Sequence, residues 1–203
     1  MKIICIGRNY AKHILELQNE RPSEPVVFLK PDTALLPRDQ DFYIPEFSQD
    51  IHHEIEIVVK INKVGKHIDA KFAHKYYDEI SVGLDFTARD VQHGLKEKGL
   101  PWEKAKAFDN SAVIGDFISK KIFSSQESLT FELLKNKQTA QRGDSSLMLW
   151  HIDELISYVS RFFTLKTGDL IFTGTPEGVA QVKPGDVLEG YLNQKKLLTV
   201  EIK

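Results

Sequence analysis

The sequence is poor in cysteine, in net charge and in long apolar runs, and each shortage excludes a class of protein. Cys5 is the one cysteine among 203 residues, so no disulfide can form within the chain. The formal net charge of -2 argues against a nucleic acid or an anionic membrane as partner. No apolar run approaches the roughly 20 residues that cross a bilayer. We therefore expect a cytoplasmic protein with a buried, structural Cys5 thiol and with neither nucleic acid nor membrane as partner.

The chain also lacks internal repeats, low-complexity segments and long linkers. We expect residues 1–203 to form one domain, in which residues 1–20 supply a first strand and a short helix. Five of the eight prolines fall between residues 21 and 50, where extended segments and turns are expected instead of a long helix. Predicted strands outnumber predicted helices and do not alternate regularly with them. This pattern favours a mostly-β, α+β fold over a doubly wound sheet.

Residue patterns predict the individual elements. Strands are predicted at 2–6, 54–61 and 80–86, and a hairpin is predicted to join 128–135 to 138–141 around Asn136-Lys137. Helices are predicted at 10–18, 87–98 and 151–163. Thr87 and Asp90 resemble a capping box at the start of the second helix. Short strands separated by turns are expected after residue 163.

Glu54 and Glu56 are the most informative pair in the sequence. They lie two residues apart in a predicted strand, so both side chains project from the same face. Ile55 and Ile57 occupy the other face, and Val58 on the glutamate face indicates that this face is not simply solvated. Two carboxylates with Cβ atoms roughly 7 Å apart would repel each other in a low-dielectric pocket. A divalent cation between them resolves that conflict.

Asp85 supplies a third carboxylate at the predicted end of a neighbouring strand. It lies in an apolar stretch just before a predicted helix, whose cap Thr87 already provides. A ligand set of oxygens alone selects a hard ion such as Mg²⁺, Mn²⁺ or Ca²⁺. Zn²⁺ is disfavoured because no cysteine is available and no compact histidine motif is present. The alternative is an edge strand whose acidic residues face water, and it stays open for the glutamate pair taken alone.

Five motifs, in order along nearly the whole chain, resemble the fumarylacetoacetate hydrolase family. They are Gly7-Arg8-Asn9-Tyr10 with His13 and Glu16, His52-His53-Glu54-Ile55-Glu56, Gly83-Leu84-Asp85-Phe86-Thr87-Ala88-Arg89-Asp90, Lys106-Ala107-Phe108-Asp109 and Thr173-Gly174-Thr175-Pro176-Glu177-Gly178-Val179. The likeness is strongest to the short members of the acylpyruvate hydrolase and oxaloacetate decarboxylase type. It implies a β-sandwich roll with a few short helices and a homodimer. It also implies one Mg²⁺, with Mn²⁺ as the alternative, held by Glu54, Glu56 and Asp85.

The resemblance also implies the chemistry. A small 2-oxo acid offers a carboxylate and an adjacent ketone that chelate such an ion, which then acts as template and Lewis acid. Breaking the bond beyond C3 leaves the enolate of pyruvate, whose developing charge a preorganised cation stabilises. Lys106 is expected to add a second positive charge beside that oxyanion. Its lysine-rich neighbourhood is, by itself, typical of a solvated lysine.

His13 and Glu16 are three residues apart in a predicted helix, so they share one face. Glu16 is expected to orient His13 while His13 takes a proton from water, and hydroxide then attacks the distal carbonyl of an acylpyruvate. General-base help of this kind is typically worth ~10²–10⁴-fold in rate. The alternative is an exposed pair without a catalytic role. Because the helix is short and lies between flexible segments, we expect it to order as a lid over bound substrate.

Six further residues are expected to contact the substrate: Arg8, Lys30, Arg89, Gln92, Gly174 and Thr175. By resemblance, Thr175 and nearby backbone N–H groups hold the substrate carboxylate, although composition alone favours an ordinary turn at 173–178. Arg89 has Asp90 or another carboxylate as an alternative partner. His52 and His53 are interpreted as structural residues or as supports behind the metal ligands, because a Mg²⁺ site rarely recruits imidazole.

The predicted function is Mg²⁺-dependent hydrolysis of a carbon–carbon bond in acylpyruvates such as acetylpyruvate and fumarylpyruvate. The products would be pyruvate and a carboxylic acid, and the same site could decarboxylate oxaloacetate through the same enolate. A 2-hydroxydienoate hydratase or isomerase on this metal site is the first alternative. A non-catalytic ligand-binding module is the second.

Overall fold

The computed structural model describes residues 1–123 and 128–203 and is built mainly of short strands. The strands are β1 (Ile3–Gly7), β2 (Val26–Lys30), β3 (Ile51–His53), β4 (Ile55–Ile61), β5 (Tyr77–Asp85), β6 (Thr87–Ala88), β7 (Ala112–Ile114), β8 (Ile118–Ser119), β9 (Thr130–Lys135), β10 (Gln138–Asp144), β11 (Leu170–Phe172), β12 (Ala180–Gln181), β13 (Val187–Leu192) and β14 (Lys195–Glu201). The helices are α1 (Ala11–Glu16), α2 (Ala70–Ala73), α3 (Arg89–Glu97), α4 (Glu103–Lys106) and α5 (Ile152–Phe162). None of the helices in these ranges has the length and apolar character needed to cross a membrane.

The strands form three sheets. The largest has the order β2-β1-β11-β4-β5-β7, and β8 also pairs with β5; β1 and β11 are parallel and the other pairs are antiparallel. The second, β10-β9-β13-β14, is antiparallel throughout and packs on the first through β4 and β5. The third is the small sheet β12-β3-β6. The predicted mostly-β, α+β class is therefore confirmed.

The main core lies between the two larger sheets. On β4, Ile55, Ile57, Val59 and Ile61 alternate into it, as the sequence pattern predicts. Gly190 of β13 lets the sheets approach closely, because an added Cβ there would lie 3.0 Å from Cγ2 of a valine on β5. This packing fixes the inward face of β4, and with it the direction in which the alternate residues of β4 point.

The opposite face of β4 is also buried. Val58 packs there in a second apolar cluster with Cys5 of β1 and Phe172 of β11. Burial raises the pKa of the Cys5 thiol well above its ordinary value, so the thiol stays protonated, as expected of a structural cysteine. Because β4 lies between β11 and β5, it is not an edge strand, and the alternative of acidic residues facing water is wrong.

Two local expectations have different outcomes. The hairpin turn at Asn136 and Lys137 is confirmed, with φ values of 53° and 67° that match a two-residue primed turn. The predicted cap of the helix at 87–98 is wrong: α3 begins at Arg89, after an N-cap residue, Ala88, that makes no side-chain cap hydrogen bond. Pairing of β6 with β3 holds Thr87 extended, and its hydroxyl donates to the Asp85 carbonyl at 3.4 Å.

Candidate metal centre

The three predicted carboxylates meet at one end of the β4–β5 pair. Glu54 lies in the break between β3 and β4, and Glu56 pairs in register with Gly83 of β5. Asp85 ends β5, where its backbone N–H donates to the Glu54 carbonyl at 2.9 Å. One carboxylate oxygen from each residue lies within 4.8 Å of the others, and all three side chains are buried.

The cluster fits a hard divalent cation. Its donors are all carboxylate oxygens, the set that Mg²⁺ and Mn²⁺ prefer. The buried Oδ1 of Asp85 accepts no hydrogen bond from any described residue, although Nζ of Lys30 lies 2.8 Å away. Burial, and then the neighbouring Asp85 carboxylate, raise the pKa of Glu56 well above its ordinary value. A bound cation would relieve this repulsion among buried carboxylates.

Lys106 lies against two of these carboxylates. Its side chain is buried, and Nζ donates to Oε2 of Glu54 at 2.7 Å and to Oδ2 of Asp85 at 2.8 Å. Burial opposes the charged ammonium, yet the Asp85 and Glu54 carboxylates raise the pKa of Lys106 above its ordinary value. The interpretation of Lys106 as a solvated lysine is therefore wrong, and its charge lies at the site.

Lys30 and Arg89 lie against the outer oxygens of Asp85 and Glu54. Lys30 is fully buried beside Asp85, and its Nζ donates to the carbonyl of Lys106 and to Oγ of Ser111, the latter at 2.9 Å. Arg89 donates to Oε1 of Glu54 and, at 2.7 Å, to Oε1 of Gln92. The partner of Arg89 is therefore the carboxylate of Glu54 and not that of Asp90. With Lys106, these residues place three cations against Glu54 and Asp85, while no ion pair to Glu56 is found among the described residues.

A cavity of about 30 Å³ adjoins the carboxylates. Its lining includes nine of the predicted site residues: Arg8, His13, Glu54, Glu56, Asp85, Arg89, Gln92, Lys106 and Thr175. Lys30, Glu16 and Gly174 lie outside this lining. A volume of this size has room for about two water molecules.

His13 and Glu16 meet on α1, as their spacing predicts. Nδ1 of His13 lies 3.3 Å from Oε2 of Glu16, and the His13 side chain is buried against the cavity. Burial lowers the pKa of His13 below its ordinary value, although the carboxylates of Glu54 and Glu16 oppose the shift. His13 is therefore neutral at pH 7 and able to accept a proton. The burial of the His13 side chain argues against the alternative of an exposed pair.

Gly174 supports the carboxylate cluster through its backbone. Its φ of +103° is in the left-handed region, and an added Cβ would lie 2.7 Å from the Cβ of Asn9. This close approach lets its backbone N–H donate to Oε2 of Glu56 at 2.7 Å. The glycine is required there by geometry, and its amide is occupied by a protein carboxylate.

Gln141 belongs to the site but carries no sequence signal. It is buried next to a bulge in the β9–β10 hairpin, and its Nε2 donates to Oγ1 of Thr175 at 2.9 Å. Its Oε1 lies 2.9 Å from Nδ1 of His53 and accepts from the Ile55 N–H at 3.1 Å. Because the Gln141 amide occupies an acceptor site of Thr175, the Thr175 hydroxyl is left to donate into the cavity.

Lys96 is a second residue that the sequence did not single out. It lines the cavity from α3, together with Asn19, Phe28 and Trp102. In the sequence it stands among several lysines and looks like a solvated residue. Its spacing of four from Gln92, on the same helical face, is the signal that could have identified it.

Comparisons with known proteins agree with this fold. A family model described as fumarylacetoacetate (FAA) hydrolase C-terminal matches residues 2–202. Oxaloacetate tautomerase YcgM of Escherichia coli (strain K12) is 43% identical over 199 residues, which cover 98% of this chain and 91% of that protein. The mitochondrial oxaloacetate decarboxylase of Dictyostelium discoideum is 43% identical over 189 residues, covering 93% and 87%. The crystal structure of fumarylpyruvate hydrolase from Pseudomonas aeruginosa in complex with Mn²⁺ and pyruvate matches with a TM-score of 0.93 and 37% identity, covering 100% and 89%. The fold expected from the sequence motifs is thereby confirmed.

Proposed function

Because the chain belongs to the fumarylacetoacetate hydrolase family, we propose that it is a divalent-metal-dependent enzyme that forms the enolate of a small 2-oxo acid. The observation that carries the proposal is the buried cluster of Glu54, Glu56 and Asp85 with Lys106 against it. Oxaloacetate is the first substrate we propose, since two of the relatives are named for acting on it.

Mg²⁺ or Mn²⁺ at the three carboxylates would supply a template and a Lewis acid for the carboxylate and ketone oxygens of the substrate. The protein's own part is electrostatic. Lys106 is charged and buried, so its ammonium stabilises negative charge that develops on the ketone oxygen. Arg89 donates to the side-chain carbonyl of Gln92, which leaves the Gln92 amide free to donate to the substrate carboxylate. The Thr175 hydroxyl is proposed to donate to the same carboxylate.

His13 is the proposed proton carrier. Glu16 lies on its Nδ1 side, so the tautomer with Nδ1–H leaves Nε2 as the acceptor. In tautomerisation, Nε2 takes a proton from C3 of the keto form, the electron pair becomes the C2–C3 double bond, and the ketone oxygen gains the negative charge. Protonation of that oxygen completes the enol, and the reverse steps restore the ketone.

Hydrolysis of acylpyruvates is the second function we propose, and the paired His13 and Glu16 favour it. His13 would take a proton from water, and the resulting hydroxide would add to the distal carbonyl. Collapse of the tetrahedral intermediate breaks the carbon–carbon bond, expels the pyruvate enolate and leaves a carboxylic acid. Decarboxylation of oxaloacetate would form the same enolate with loss of CO₂ and needs no water attack.

A substrate panel tests both functions. The purified protein would be assayed for ketonisation of enol-oxaloacetate and for pyruvate release from oxaloacetate, acetylpyruvate and fumarylpyruvate, with Mg²⁺, Mn²⁺ or EDTA. We expect EDTA and Glu56→Gln to abolish every activity. Glu79→Gln is the control, because Glu79 lies on β5 but is 46% exposed and pairs with Lys60. Full activity in EDTA and in Glu56→Gln would overturn the metal assignment.

We further propose, on the basis of family membership, that the protein is a homodimer with a small 2-oxo acid as its ligand. Size-exclusion chromatography with light scattering would measure the mass against the 23.2 kDa of one chain. A monomer at micromolar concentration would overturn this. The cytoplasmic location and the organisation of 1–203 as one catalytic domain stay predictions.

A further inference from the structure

Two cations of the cavity wall differ from those that pair with the carboxylate cluster, because they have no counter-charge among the described residues. Lys30, Arg89 and Lys106 each pair with a carboxylate of the metal cluster. Arg8 and Lys96 also line the cavity, but among the described residues no carboxylate lies within ion-pairing distance of either. The buried Nε of Arg8 also lacks a hydrogen-bond partner within these ranges. Unpaired charge that faces a cavity points to an anionic ligand.

Lys96 extends the polar face of α3 away from the carboxylates. Arg89, Gln92 and Lys96 are spaced by three and four residues, so they lie on one face of the helix. Lys96 is one helical turn, about 6 Å along the axis, beyond Gln92. Its Nζ lies 3.4 Å from Oδ1 of Asn19 and 5.5 Å from the centre of the Trp102 ring. The ammonium is thus held against the cavity wall.

The surroundings of Lys96 are positive. Burial, and then the charges of Arg8, Arg89 and Lys106, lower the pKa of Lys96 to about 8, and Glu54 offsets only part of this shift. A bound anion beside Lys96 would relieve the repulsion among these cations.

Arg8 is held in an unfavourable backbone conformation. Its φ of 59° is in the left-handed region, which residues other than glycine rarely adopt. Such strain persists where the surrounding structure enforces it, often at ligand sites. Arg8 sits between β1 and α1, and this conformation accompanies the placement of its side chain in the cavity wall.

We propose that Lys96, together with Arg8, binds a second carboxylate of the substrate, so that the enzyme prefers 2-oxo dicarboxylic acids to 2-oxo monocarboxylic acids. The inference rests on the proposed function, which places the 2-oxo acid group at Glu54, Glu56 and Asp85. Phe28 and Trp102 also line the cavity, and an apolar acyl group would be the competing occupant of this end. Both rings, however, carry lysine ammonium groups within 5.5 Å of their centres, which favours the charged occupant.

The test compares ligands that differ only in the second carboxylate. Lactate and malate share a 2-hydroxy acid group, and neither undergoes the proposed reaction. Their affinities in the presence of Mg²⁺ would be measured by calorimetry for the wild type, Lys96→Gln and Lys96→Arg. Lys98→Gln is the matched control, because Lys98 is an exposed residue at the end of the same helix. Oxalate would serve as a ligand that reports the metal end of the site alone.

We expect Lys96→Gln to reduce the malate-to-lactate affinity ratio about tenfold, the loss typical of one hydrogen bond to a charged group. Lys96→Arg should keep most of the ratio, and Lys98→Gln all of it, with oxalate binding unchanged throughout. An unchanged ratio in Lys96→Gln, or an equal loss of lactate and malate binding, would overturn the inference. If oxalate fails to bind the wild type with Mg²⁺, the proposed function itself fails, and the inference fails with it.

Discussion

The carboxylate of Glu16 accepts a hydrogen bond from the backbone N–H of Gly178 at 2.9 Å. The other oxygen of the same carboxylate lies 3.3 Å from Nδ1 of His13. Glu16 therefore orients His13 and also ties α1 to the loop that carries Thr175. Opening of α1 as the expected lid would break the bond to Gly178.

The first prediction follows from this double contact. Glu16→Ala should speed amide hydrogen exchange in residues 11–16 and lower the rate of acylpyruvate hydrolysis by about 10²-fold, the lower end of general-base effects. Lys12→Gln is the control, because the exposed Lys12–Glu177 pair, at 3.4 Å, is a surface ion pair of little energy. In the wild type, amide hydrogen exchange in residues 11–16 should be slower with Mg²⁺ and oxalate than without them. Equal exchange with and without these ligands would remove the lid hypothesis.

The second prediction concerns the charge balance around Lys106. Lys106→Met removes the ammonium between Glu54 and Asp85 and should destabilise the metal-free protein by about 3–5 kcal/mol, the usual result of leaving a buried charge unpaired. Turnover should fall about 10²–10³-fold, as when one oxyanion donor is lost. Lys104→Met, at an exposed position of the same helix, should change neither.

Thermal unfolding in EDTA and in Mg²⁺ would check the stability effect of Lys106→Met. If the carboxylates bind the cation, Mg²⁺ should raise the melting temperature of Lys106→Met by more than that of the wild type, because the metal then replaces a missing positive charge. If the melting temperature of Lys106→Met were the same in EDTA and in Mg²⁺, the assignment of the cluster as a metal site would be contradicted.

The carboxylate cluster could be predicted because its cause is local. Two-residue periodicity places Glu54 and Glu56 on one face, and an isolated carboxylate after an apolar strand marks Asp85. The failed cap at Thr87 has a non-local cause, since β6 forms only by pairing with β3, which lies some 35 residues earlier in the chain. The break at Glu54 has a similar origin, because the chain passes there from the small sheet to the large one.

Gln141 and Lys96 were not predicted as site residues, for related reasons. Gln141 reaches Thr175, 34 residues later in the chain, only because the second sheet packs against the loop after β11. Lys96 becomes part of the site only because Trp102 and the N-terminal segment close around it. The contact of Gln141 leaves no periodic trace in the sequence, and the spacing of Lys96 from Gln92 indicates only that the two share a helical face. The roles of Lys30 and Gly174 as supports for Asp85 and Glu56 were hidden in the same way.

The third prediction tests Gln141 as a residue that positions Thr175. Gln141→Leu should raise KM for oxaloacetate about tenfold with a smaller change in kcat, because the Thr175 hydroxyl loses its orientation but the metal ligands and His13 remain. Thr175→Val should have a similar effect, and the double variant should be little worse than either single one. Gln138→Leu, at an exposed site of the same strand, is the control. A loss of kcat as large as the rise in KM would indicate a general structural defect instead. Effects of Gln141→Leu and Thr175→Val on KM that add fully in the double variant would indicate the same.

The last prediction uses the titration of Lys96. Its pKa is lowered to about 8 by burial and by Arg8, Arg89 and Lys106, against the opposing charge of Glu54. Below that pH the amine is protonated and attracts a carboxylate; above it the amine is neutral and the attraction is lost. The second carboxylate of malate is ionised above about pH 5. The malate-to-lactate affinity ratio should therefore fall as the pH rises through about 8, while titrations common to both ligands cancel in the ratio. Lys96→Arg should flatten the profile, because a guanidinium does not titrate in this range. A wild-type ratio that stays constant between about pH 6.5 and 9.5 would show that the charge of Lys96 does not recognise the ligand.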